Sequence, residues 1–211
     1  MTVTDVNVVK SAIFERPDDA NKGTLGSLLC VCGSYGMAGA AVMSAKGALR
    51  TGIGLAKCAL PRSIYPIVAQ TILESVYYPL SENADGRISK VNVPFLVSES
   101  CKSSATLVGC GLGVCDDTLK IVFSLIENST TPLVLDADAL NCVAKQPEIL
   151  LRKKAPIIIT PHPGEMSRLT GLATPLVNAE RERVALDFAQ KYGIVTVLKG
   201  AGTVIAPPNG K

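Results

Sequence analysis

Residues 25–41, LGSLLCVCGSYGMAGAA, hold an apolar run that stops at Gly33 and gives way at once to glycines and small side chains. The run from Leu25 reads as a buried strand entering a glycine-rich turn. The residues that follow, MAGAAVMSAKGALRTG, predict a helix, with Arg50 as a cation in the last turn and Gly52 as the stop. A strand, a glycine turn and a helix in that order form the first half of a βαβ unit.

The same order recurs along the chain. IGLAKCAL (53–60) reads as a second strand, closed by Pro61. SATLVGCGLG (104–113) is an apolar strand ending in glycines, and DDTLKIVFSLIEN (116–128) is a helix with an acidic start. PLVLD (132–136), APIIIT (155–160) and IVTVLKG (194–200) are further buried strands. NAERERVALDFAQKYG (178–193) places Val184, Ala185, Phe188 and Ala189 on one stripe, with Asn178 expected to cap the helix and Gly193 to end it. TVIAPPNGK reads as a strand breaking into a turn. Continuous apolar strands alternating with helices predict an α/β fold with a mostly parallel sheet covered on both faces. Ligands of such sheets gather at the carboxyl ends of the strands, where Gly33, Gly109–Gly113, Asp136, Thr160–Glu165 and Lys199–Gly202 all fall.

Composition narrows the function classes. The 211 residues are 47% hydrophobic, with no tandem repeat or linker that would divide them, so a single folded domain is expected. Lys and Arg total 21 against 18 Asp and Glu, and Trp is absent, which argues against nucleic acid as a partner. The opening MTVTDVNVVKSAIFERPDD lacks a basic segment followed by an apolar core, and no apolar stretch reaches membrane-spanning length. Seven cysteines without a C-x-x-C pair suit a reducing, cytoplasmic setting, and a single histidine leaves a Cys/His nucleophile without support.

Each motif has a plain and a functional reading. GSYGMAGAA (33–41) is either an anion site at a helix amino terminus or a tight turn that lets a helix pack closely. GCGLG (109–113) is a second such turn, with Asp116 and Asp117 as candidate caps of the next helix. In LVLDADAL (133–140), Asp136 ends a strand facing the site and Asp138 lies in a first helical turn; the D-x-D of haloacid dehalogenase phosphatases is matched only in part, because Leu140 stands where Thr or Val is expected. TPHPGE (160–165) places the only histidine, His162, between two prolines that fix its direction, and offers Glu165 as a hard oxygen ligand for magnesium through water. LKGAGT (198–203) joins a lysine to a Gly-x-Gly hairpin, either a nucleotide loop or an ordinary turn.

Taken in order, NKGTLGSLLCVCGSYGMAGAAVMSAKGALRTGIGL, GCGLG, DADALN, TPHPGE and LKGAGT resemble the ADP- or ATP-dependent NAD(P)H-hydrate dehydratases of the ribokinase-like superfamily, over about residues 21–211. The resemblance implies a three-layer αβα fold. It also implies a lyase that repairs the S epimer of hydrated NADH or NADPH: a nucleotide phosphorylates the ring hydroxyl, phosphate leaves, and ADP gives AMP. Carried over by motif, Ala40, Gly113 and His162 line the hydrate pocket. Lys199, Gly200, Ala201, Gly202 and Thr203 bind ADP or ATP, and Glu165 and Asp136 organise Mg2+. The family further implies a homo-oligomer, often a tetramer.

The chain departs from the family in one respect. Members carry a segment ending in Gly-x-Gly-Asp after the lysine-glycine hairpin, whose Asp is the expected base, and Lys211 comes before it. The expectation is therefore a domain incomplete at its carboxyl end, with the catalytic Asp beyond Lys211. A shortened chain, a cut chain holding its C-terminal fragment noncovalently and a non-catalytic relative are the three explanations. The nearest alternative function is a small-molecule kinase of the thiamine-precursor type; a nucleotide-binding protein without turnover and a phosphatase come after it.

Overall fold

The computed structural model describes residue 10, residues 18–21 and residues 23–210. The reading of the amino terminus as free of a leader lies largely outside the described residues. From Ser27 onward the chain forms β1 (Ser27–Val31), α1 (Ala38–Arg50), β2 (Leu55–Pro61), α2 (Tyr65–Thr71), β3 (Val76–Leu80), α3 (Val93–Cys101) and β4 (Ala105–Val108). It continues through α4 (Asp116–Asn128), β5 (Leu133–Leu135), α5 (Asp138–Val143), β6 (Ile157–Ile159), α6 (Pro163–Thr170), α7 (Thr174–Ala179), α8 (Arg181–Tyr192), β7 (Val195–Leu198) and β8 (Val204–Ala206).

One eight-stranded sheet results, in the order β3-β2-β1-β4-β5-β6-β7-β8. The first seven strands are parallel, and β8 returns antiparallel to β7 through the Lys199–Thr203 turn. The chain moves outward from β1 to β3 and then crosses back to lay β4 on the other side of β1. The order therefore reverses between β1 and β4, the kind of crevice in which open α/β sheets bind ligands. Both glycine-rich turns sit there.

Two apolar clusters cover the two faces. Cys30, Cys32, Cys58 and Leu60 pack against Ala41 and Ala45 of α1 and Val68 of α2. The small side chains of α1 bring the helix close: a Cβ at Gly33 would lie 3.1 Å from that of Ala41. On the other face Leu133, Leu135, Ile157, Ile159 and Leu198 pack against Val122 and Leu125 of α4 and against Val184, Ala185 and Phe188 of α8. The expected stripe of α8 is thus its buried face.

Two expected caps are corrected. Cys115, not Asp116 or Asp117, caps α4, with the Cys115 N–H donating to the Thr118 hydroxyl at 2.9 Å. Asn178 lies inside α7, because the backbone breaks at Glu180 (φ −123°, ψ 40°) and α8 begins only at Arg181. Gly193 does end α8, at φ 61°. The sequence pattern passed over residues 62–102, where the structure adds α2, β3 and α3. β3 and β8 are the sheet's two edges; β3 contains Pro79, and Pro207 and Pro208 follow β8.

Candidate functional site

The carboxyl ends of five adjacent strands carry the residues that matter. β1 ends in Gly33–Met37, β4 in Gly109–Cys115, β5 in Asp136–Asp138, β6 in Thr160–Glu165 and β7 in Lys199. The two glycine turns are bonded to each other: the Gly33 N–H donates to Cys110 O at 2.8 Å, and the Ser34 hydroxyl to Gly111 O at 2.8 Å. Ala40, in the first turn of α1, faces Gly111, where a Cβ would come within 2.6 Å of its methyl group. The close-packing reading of these turns therefore holds for their contact with α1.

Gly113 is fixed from β5. Its N–H donates to Asp138 Oδ2 at 2.8 Å, while Asn141 holds the other carboxylate oxygen at 3.3 Å and is itself held by Arg168 at 2.9 Å. Asp138 is thus a strut under the turn as well as a first-turn acid. Between the two aspartates Ala137 sits at φ 49°, a left-handed backbone rare for a side-chain-bearing residue. Such strain persists where the surroundings enforce it. Here it lets Asp136 and Asp138 serve different partners.

Asp136 pairs with Lys199, Oδ1 to Nζ at 2.6 Å. Burial raises its pKa, but hydrogen bonds from Lys199 and Thr160, the lysine charge and the Ala137 N–H outweigh it and hold the carboxyl below its ordinary value. The Cys110 thiol lies 3.7 Å from the other oxygen, Oδ2. Lys199 is tethered at its backbone too: its N–H donates to Pro161 O at 2.8 Å. Asp136, Thr160 and Lys199 are therefore one cluster. Gly202 faces open space, beside a cleft of about 700 Å³ lined by Asn178, Arg181, Arg183, Gly202 and Val204.

His162 has a role that its sequence context did not reveal. It caps α6: Nδ1 accepts from the N–H groups of Gly164 (3.0 Å) and Glu165 (3.2 Å), and Glu165 Oε2 accepts the His162 N–H at 2.8 Å. With its lone pair so used, Nδ1 is the bare nitrogen and Nε2 carries the proton, 3.4 Å from Glu165 Oε1. Glu165 is buried, and its Oε2 is spent on the His162 N–H. Among the described residues no group of three or more His, Cys, Asp or Glu side chains converges as a metal cage. His162→Ala is expected to lower the melting temperature by about 2–4 °C, the effect of losing a helix cap of about 1 kcal/mol. His162→Asn, which keeps an acceptor, should recover most of that loss; equal melting of all three proteins in a thermal scan would show the cap to be idle.

Thr160, at the expected strand end, bonds Asp136. Two residues escaped the sequence pattern. Arg181 reaches the carbonyls of Leu198 and Lys199. Arg87 packs against Gly113 from the β3 side, next to a second cleft of about 490 Å³ between Tyr35, Ser63, Glu82 and Gly86. Burial pushes the Cys142 thiol up to about 11 and that of Cys30 higher still, so both are held as thiols rather than thiolates. No helix among the described residues is long and apolar enough to cross a membrane.

Comparison with known proteins identifies the family and the fold. The family model described as NAD(P)H-hydrate dehydratase matches residues 28–211. The bifunctional NAD(P)H-hydrate repair enzyme Nnr of Thermofilum pendens is 39% identical over 196 residues, 93% of this chain but 37% of that protein, so the chain spans little more than a third of such relatives. The ADP-dependent (S)-NAD(P)H-hydrate dehydratase of Bacillus subtilis is 30% identical over 204 residues, 96% of this chain and 68% of its own length. A crystal structure of the ADP/ATP-dependent enzyme from that organism, co-crystallized with ATP/Mg2+, matches with a TM-score of 0.79 over 97% of this chain and 68% of that one. A ribokinase-like superfamily protein from Enterococcus faecalis, 20% identical, shares the fold with a TM-score of 0.76 over 92% of this chain and 64% of its own. With the family pattern running from β1 through the Lys199 turn and beyond, the chain belongs to the NAD(P)H-hydrate dehydratase family.

Proposed function

We propose that this chain carries the nucleotide-dependent dehydratase domain of a metabolite-repair enzyme, acting on the S epimer of hydrated NADH or NADPH. The observation that carries this reading is the Asp136–Lys199 pair at the end of β7, beside an open glycine turn and a cleft. ADP or ATP lies along Lys199–Thr203, where backbone N–H groups and a lysine offset phosphate charge. The hydrate lies over the switch point, with Ala40 and Gly113 below it and His162 at its flank. The terminal phosphoryl group passes to the ring hydroxyl, phosphate then leaves, and the reduced ring is restored. Positioning and charge neutralisation dominate such transfers, so a protein nucleophile is not required.

Magnesium fits the donors without a protein cage, since this ion commonly takes one or two carboxylates together with water and phosphate oxygens. Asp136 would offer Oδ2 to the ion, and Glu165, held by His162, would act on it only through water. When bound, the ion neutralises phosphate charge. The unpaired cysteines suit a reducing, cytoplasmic setting, and a homo-oligomer is taken from the family resemblance alone.

The test is recovery of the reduced-nicotinamide absorbance when the protein meets hydrated NADPH, magnesium and ADP. Recovery matched by AMP is the expected result once the family's Gly-x-Gly-Asp segment is supplied after Lys211. Accumulation of a stable phosphorylated acceptor would mean a kinase instead. Absence of both recovery and nucleotide turnover from the chain so extended would refute the dehydratase reading.

A further inference from the structure

Arg181 stands outside every motif in the sequence, yet it holds the backbone of the Lys199 turn. Its Nη2 donates to Leu198 O at 2.9 Å and to Lys199 O at 3.0 Å, and Nη1 lies 3.4 Å from Asn178 Oδ1. The guanidinium also fills the space beside Gly200, where a Cβ would come within 2.8 Å of Nη2. Gly200 adopts φ 151°, a backbone open to glycine, so the turn and the arginine fit one another. Lys199 is consequently fixed at three points: its N–H by Pro161 of the β6 turn, its C=O by Arg181 of α8 and its ammonium by Asp136 of β5.

Among the described residues the turn's other contacts hold it more loosely. The Thr203 hydroxyl returns to Gly200 O at 3.1 Å, but Gly202 has no neighbour on its Cβ side, and Gly200 to Thr203 are exposed. Charge-assisted bonds from a planar guanidinium are stronger and more directional than neutral ones. A lysine at this position would keep the charge and lose the fork.

We infer that Arg181 is a positioning residue for nucleotide binding: by clamping the Leu198 and Lys199 carbonyls it sets the Lys199–Thr203 turn in the form that receives the phosphates. The inference rests on the reading of that turn as the ADP or ATP site. It gives α8, a helix with no conspicuous chemistry, a direct effect on nucleotide affinity.

The experiment is titration of ADP with magnesium, followed calorimetrically, into the unaltered protein, Arg181→Ala and Arg181→Lys, with melting temperature and far-ultraviolet dichroism recorded alongside. Arg181→Ala should bind ADP about tenfold more weakly, the scale of losing bonds from a charged donor. Guanidinium ion at low millimolar concentration should restore part of that affinity by occupying the vacated place, a rescue that general loosening of the fold would not show. Arg181→Lys should remain weak, and it carries the test if the alanine variant does not fold. Affinity equal to that of the unaltered protein in either variant overturns the inference. Failure of the unaltered protein itself to bind ADP overturns the nucleotide reading beneath it, and is recognised because it appears without any substitution.

Discussion

Gly109→Ala is expected to destabilise the protein by about 3–5 kcal/mol, at the upper end for a single substitution. Gly109 adopts φ 124°, and a Cβ there would run into the backbone: Asp136 O, and Ala139 N at 2.7 Å. These atoms belong to the β5 turn and cannot swing aside as a side-chain tip would. Gly109 is also a junction. Its N–H donates to Val31 O at 3.2 Å, and its C=O accepts from Leu112 at 3.1 Å and from Asp138 at 3.3 Å. Denaturant unfolding would measure the loss. A change under about 1 kcal/mol, an ordinary effect, would mean that β4 and β5 separate freely at this point and that their close approach is not a constraint.

Lys199→Met should have the largest effect on ligand binding, weakening ADP by about a hundredfold through loss of a charged phosphate partner. It also leaves Asp136 with its burial uncompensated by its main partner. In the unaltered protein the folded pKa of Asp136 lies below the ordinary value of 3.8. Its contribution to stability is therefore present above that value and is lost as pH falls through the lower folded value. Without Lys199 the burial that raises the pKa gains weight, so the variant's Asp136 protonates at a higher pH and the variant lacks the stability that the pair supplies at neutral pH. Urea midpoints compared between about pH 3 and 6 would show this as a narrower gap between wild type and variant at the acid end than at the neutral end. Curves that stay parallel would mean that the pair does not couple to folding.

Much of the fold was legible because its core strands are continuous apolar runs bounded by glycine or proline. β1, β4, β5, β6 and β7 lie within the runs that predict them, and β2 exceeds its run only by Pro61. β3 was not legible, since VYYPL is half-exposed and contains proline. The cap of α6 was hidden for a chemical reason: HPGE has the spacing of a capping box, but histidine is seldom read as the capping acceptor. The motifs located the strand ends of the site, while its struts were invisible. Asp138 braces Gly113 across 25 positions, and Arg181 braces Leu198 across 17, so neither pairing leaves a local pattern.

The prolines at the two edges of the sheet bear on how the folded protein behaves in a crowded solution. An edge strand offers a row of unpaired N–H and C=O groups on which another chain can extend the sheet, and Ile205 in β8 is a sticky, exposed side chain at such a place. Pro79 interrupts the donor row of β3, and β8 is only three residues long before Pro207 and Pro208 withhold two N–H groups in succession. Replacing Pro207 and Pro208 together would extend the growing edge without touching the ligand-binding end. The same ring chemistry that stops the strands therefore acts against fibrillar self-assembly.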